Sequence, residues 1–101
     1  MPYDKRMRNL SYQVPFTVLK QSKKRYVAYA PSLDLSTSGK TKQQATKRFE
    51  EIAGIFFEEL MEAGALDRAL VELGWQKYKK HWQAPEMVSQ EYIDVRVPVV
   101  R

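Results

Sequence analysis

The sequence predicts an α+β domain with the order β-β-β-α-(α)-β: a four-stranded mixed sheet, strand order 3-2-1-4, with one long amphipathic helix on one face. Three observations predict it. Two β-rich runs, Phe16–Gln21 and Arg25–Ala30, are joined by a short polar turn. Residues 41–64 carry apolar side chains at helical period between a capping signal and a glycine. The closing run YIDVRVPVV alternates apolar and polar residues.

In the first run Phe16, Val18 and Leu19 surround the β-branched Thr17, and the pattern dissolves into SerLysLys. That is a short strand entering a turn. The second run, RYVAYA, ends at Pro31, which has no N–H to give a ladder. After the ProSerLeuAsp turn, LeuSerThrSer reads as a third, shorter strand closed by Gly39.

Thr41 opens the long helix, with Gln44 three residues on as its capping-box partner. Ala45, Phe49, Ile52, Ala53, Phe56, Phe57, Leu60 and Met61 keep one apolar stripe, and Gly64 suits the left-handed residue that ends a helix. Glu50, Glu51, Glu58, Glu59 and Glu62 take the polar side. A second helix, Leu66–Leu73, begins with Asp67 in its first turn and stops at Gly74. In the GWQKYKKHWQ stretch that follows, Trp75 is placed to pack back on that last turn as a core cap. If a helix resumes there, Trp75, Tyr78 and Trp82 share one face while Lys77, Lys79 and Lys80 point to water.

In the last run Ile93, Val95, Val97 and Val99 alternate with Asp94, Arg96 and Pro98, the period of a half-buried strand. Two hairpin turns make strand three run with strand one, and the helix reverses the chain. The final strand is therefore expected parallel beside strand one, after a right-handed crossover. Pro15 stands at the threshold of strand one, so residues 1–15 are read as an irregular basic arm and 16–100 as the folded core of one domain. The face of the sheet away from the helix is left solvated or for self-association, which points to a homo-oligomer, a dimer or tetramer.

At 101 residues the chain has room for one domain and a core. With 44% hydrophobic and 29% charged residues it lies within the range of ordinary globular proteins. The absence of cysteine excludes disulfides, thiolate metal sites and thiol nucleophiles. No apolar run is long enough for a membrane span, and MPYDKRMRNLS lacks the core of a signal peptide. A cytoplasmic protein without membrane contact is expected. Charge is divided along the chain: residues 1–48 hold eleven basic and two acidic side chains, residues 49–101 six and ten. The front half suits phosphate and the rear half a basic protein.

The run from Phe16 to Trp75, with YVAYAPSLDLSTSGKTKQQA, FEEIAGIFFEELMEAG and LVELGW in that order, resembles the HicB family of antitoxins. The final IDVRVPVV occupies the place of that family's last strand. The resemblance implies a partial ribonuclease-H-like fold used as a binding module. It further implies a partner, a small HicA-type toxin that is an mRNA interferase, inhibited by occlusion. Many members continue into a C-terminal ribbon-helix-helix or helix-turn-helix domain; here only the N-terminal domain is recognised, so a solitary module without that route to DNA is expected. A neutraliser of a basic ribonuclease should be acidic, and the helical glutamates supply that face. Glu51, Glu58, Glu59 and Glu62 are the candidate partner-binding residues.

Two-metal hydrolysis needs converging carboxylates. Strand one has none, Asp34 lies in a turn, and Asp94 falls on the polar side of the last strand. His81 is the sole histidine, and no Gly-x-Ser-x-Gly elbow occurs. Gly39-Lys40-Thr41 resembles the end of a phosphate loop, but Asp34 stands where the first glycine belongs. A non-enzyme with no catalytic or metal residues and no cofactor is therefore expected. The alternative function is a nucleic-acid-binding regulatory module. It would use the arm residues Lys5, Arg6 and Arg8, the hairpin tip Lys23, Lys24 and Arg25, and Lys77, Lys79 and Lys80 among aromatic rings.

Overall fold

The computed structural model describes residues 11–100. Strands β1 (Thr17–Ser22), β2 (Arg25–Ala30) and β3 (Leu35–Gly39) form an antiparallel sheet in that spatial order. Helices α1 (Lys42–Glu62) and α2 (Leu66–Glu72) follow, and then a separate two-stranded hairpin of β4 (Gln76–Tyr78) and β5 (His81–Gln83).

The β1–β2 ladder pairs Thr17 with Tyr29 and Leu19 with Val27, and its register shifts between Lys20 and Ser22. Pro31 ends β2 as its missing donor requires. The return to β3 is made by hydrogen bonds from Leu33 N to Ala30 O (3.2 Å) and from Asp34 N to Pro31 O (3.3 Å), with Asp34 at φ 53°. Aspartate tolerates that left-handed conformation better than most residues.

At the start of α1 the Thr41 hydroxyl accepts from Gln44 N (3.0 Å). The Gln44 side chain reaches back one residue beyond the cap, accepting from Lys40 N at 2.7 Å. Both helices end alike. Gly64 N donates to Met61 O and Ala65 N to Leu60 O; Gly74 N donates to Val71 O and Trp75 N to Leu70 O. Each is a Schellman motif, which satisfies carbonyls that would otherwise be orphaned. Gly74 takes φ 93°, where a Cβ would be strained.

The core lies between α1 and the sheet and continues under α2. Ala28 and Ala30 of β2, Ala45 and Phe49 of α1, Leu66 and Leu70 of α2, Leu33 and Trp75 are its buried residues. Gly39 is needed because a Cβ there would sit 2.6 Å from Ala45 N. Phe16 stacks on Phe49 (ring centroids 5.2 Å apart), and Tyr12 stacks on Phe57 (4.7 Å), which also meets Trp75 edge-on at 6.2 Å. Such pairs each add about 0.5–1.5 kcal/mol beyond area burial. Val14 packs on the core alongside Tyr12, although residues 11–16 form no strand or helix. Lys5, Arg6 and Arg8 lie outside the described residues.

The expected four-stranded sheet of order 3-2-1-4 is corrected: strands 3, 2 and 1 adjoin as expected, but among the described residues no fourth strand joins them. Residues 84–100 carry no regular secondary structure, and Ile93, Val95, Val97 and Val99 are exposed. Alternation reports that one side of a segment is apolar; it does not deliver that segment to a sheet edge. Here the chain after α2 turns into the β4–β5 hairpin at Lys79, which has φ 58°, and the crossover to β1 is not made. The same hairpin replaces the helical continuation considered for residues 75–82. Of the three rings expected on one face, Trp75 alone is buried, Trp82 is half-buried and Tyr78 is exposed.

Candidate functional site

The outer face of α1 is the most coherent surface of the described chain. Positions 51, 55, 58 and 62 fall within one narrow stripe of a helix with 3.6 residues per turn. They hold Glu51, Ile55, Glu58 and Glu62, with Glu59 on the flank. All five are exposed, because the opposite stripe of Ala45, Phe49, Ile52 and Phe56 faces the core. Ile55 is 54% exposed and Met61, farther round, 40%. The four acidic residues predicted from sequence are thus held on one rigid element. Ile55 adds an apolar residue to that acidic face, and Met61, expected within the buried stripe, is exposed.

The signal for Ile55 was present. It stands four residues after Glu51 and three and four before Glu58 and Glu59, off the apolar stripe. An apolar centre within a charged rim is the anatomy of a protein interface. Gly54 beside it leaves open space, with nothing within 4 Å of a notional Cβ.

The basic candidates fall into two groups on two separate sheets. Lys23, Lys24 and Arg25 form the exposed β1–β2 tip, where Arg25 Nε donates to Gln21 Oε1 at 2.7 Å. Lys77, Lys79 and Lys80 belong to the β4–β5 hairpin, and all three are exposed. Lys77 lies opposite Trp82 in the ladder, with its ammonium 5.7 Å from that ring and 3.8 Å from the Asp67 carboxylate. Lys79 sits 6.0 Å from the ring of Tyr78, which is 70% exposed. Tyr78 and His81 face one way and Lys77 and Trp82 the other, so the displayed and half-buried rings do not form one stacking platform.

Lys40 and Thr41 serve the helix cap, as the turn reading expected, and the cap side chains take two of the amides an anion would use. Among the described residues no group of three His, Asp or Glu side chains is placed to hold a metal ion. A shallow cleft between Pro15, Pro31, Leu73 and Pro85 also contains Ser32. Its hydroxyl is buried without a hydrogen-bond partner. Tyr12 is the one group among the described residues with a distinct shift: burial, and secondly the nearby negative charge of Asp67, raise its pKa above 10.0.

Compared with known proteins, the chain matches no family model, no curated protein and no solved structure. No helix among the described residues is long and apolar enough to cross a membrane.

Proposed function

We propose that the chain is a HicB-type antitoxin module, solitary or paired with a toxin, that binds and occludes a small HicA-type mRNA interferase in the cytoplasm. It acts by binding rather than catalysis. The observation that carries this reading is the exposed stripe of α1, where Glu51, Glu58, Glu59 and Glu62 surround Ile55. A ribonuclease must attract RNA phosphates and therefore presents a basic surface. An acidic helix with an apolar centre complements such a surface in charge and supplies area to desolvate. The ordered resemblance from Phe16 to Trp75 supports the same class of partner.

The test is an RNA-cleavage assay with a small basic toxin encoded beside this chain. Titrating in the purified protein should abolish cleavage at equimolar ratio, and Ile55→Asp with Glu58→Lys should restore it. Unchanged cleavage in the presence of the unmodified protein would reject the reading for that pair.

A second reading is nucleic-acid binding through the basic hairpins, favoured by the exposed Tyr78 among Lys77, Lys79 and Lys80. It requires a mobility shift with single-stranded RNA that weakens steeply with salt. No shift at micromolar protein would remove it.

A further inference from the structure

Among the described residues two complementary things are unpaired, a strand-like arm and a strand edge. From Tyr92 to Val100 the arm carries Ile93, Val95, Val97 and Val99 on one side, each between 71% and 84% exposed. Strand β1 has β2 on one side and, among the described residues, no strand on the other. The other outer strand, β3, lies against α1, and its Ser38 carbonyl already accepts from Arg48 Nη1 at 3.0 Å. The edge of β1 displays apolar side chains as well: Leu19 is 49% exposed and Phe16, just before the strand, 38%.

We propose that this arm is an exchange strand completed by a second copy of the chain. The arm of each protomer adds to the β1 edge of its partner, closing a two-fold dimer.

Backbone groups of alternate residues in a strand point to opposite edges. Ile93, Val95 and Val97 offer N–H groups along one edge. The other edge belongs to Asp94, Arg96 and Pro98, and Pro98 has no N–H. The arm therefore has one complete hydrogen-bonding edge, which suits an added outer strand and not a central one.

Among the described residues the arm pairs with no strand of its own sheet. Pro85, Glu86 and Met87 rest in the cleft with Pro15 and Pro31, so the arm is held to the body up to that point. Beyond it, thirteen residues span about 40 Å when extended. The molecule measures 65 × 29 × 22 Å, with a radius of gyration of 17.5 Å against about 13 Å for a compact chain of this length. The arm projects from the body, where a second copy can take it, and among the described residues its own β1 edge stays open for the reciprocal strand.

Sedimentation or light scattering of the full chain tests the pairing. The unmodified protein at tens of micromolar should give twice the 11.8 kDa chain mass. Val95→Pro removes an N–H from the pairing edge and should halve the mass read, while far-UV circular dichroism keeps the α-helical signal. Arg96→Pro alters the opposite edge and should remain dimeric. A monomeric unmodified protein, a dimer that survives Val95→Pro, or equal dissociation by both variants would each overturn the proposal.

Discussion

The indole Nε1 of Trp75 donates a 2.8 Å hydrogen bond to the carbonyl of Ser32, joining residues 43 apart in sequence inside the core. Trp75 is the residue after the Gly74 helix stop, and Ser32 lies in the turn from β2 to β3. The bond fastens the α2 layer to the sheet and satisfies a buried carbonyl. Trp75→Phe keeps an aromatic ring but orphans that carbonyl, so urea unfolding should show a loss of about 1–3 kcal/mol. Trp75→Ala adds a cavity, and a loss of about 3–5 kcal/mol is expected. A neutral Trp75→Phe would show that the hydrogen bond contributes nothing net.

The Ser32 side chain gives the opposite expectation. Its hydroxyl is buried and unpaired, so Ser32→Ala removes a desolvated polar group without disturbing the carbonyl that Trp75 uses. Stability should stay level or rise by up to about 1 kcal/mol. A clear fall in the urea midpoint would mean that the hydroxyl has a partner in solution.

Gly39 admits no side chain. Its notional Cβ meets backbone atoms, Ala45 N at 2.6 Å and Ala45 Cα at 3.0 Å, which cannot rotate away. Gly39→Ala should therefore push the first turn of α1 off the sheet and cost about 1–3 kcal/mol. Gly54→Ala is the control: nothing lies within 4 Å, and alanine favours the helix by about 0.8–1 kcal/mol. The thermal midpoint should move down for the first variant and up for the second.

Tyr12 carries a pH signature. Its pKa is higher in the folded chain than the ordinary 10.0, because burial and then Asp67 disfavour the phenolate. The neutral form is the one folding favours, so the stabilisation is complete below the unfolded pKa and is lost as pH rises through the folded value. Above about pH 10 the unmodified protein should lose stability more steeply than Tyr12→Phe, which keeps the stacking on Phe57. Equal slopes in the two proteins would rule out this role for Tyr12.

Much of the local architecture was legible. The Thr41 cap, the glycine stops at Gly64 and Gly74, the proline end of β2 and the apolar stripe of α1 are decided by neighbours within one turn or one hairpin. The glutamate face of α1 was legible for the same reason, since helical period alone sorts its residues into faces. Ile55 was overlooked because a single apolar residue on a polar face does not disturb that period. The GWQKYKKHWQ segment was harder, because three aromatic residues at helical spacing compete with a pattern equally compatible with a hairpin. Only the positive φ of Lys79 and the pairing of Lys77 with Trp82 distinguish the two.

The sequence by itself determined the order of the first three strands, both helices and where they stop, because caps, turns and periodicity are short-range chemistry. Tertiary structure decided where the aromatic residues go and whether the final strand pairs. Trp75 is buried because a carbonyl 43 residues away meets its indole, while Tyr78, three residues later, is displayed on the far side of a hairpin. The alternation of residues 93–99 states that a strand is possible, but pairing requires placement along an edge. Within one chain, the path of the backbone after α2 did not provide it.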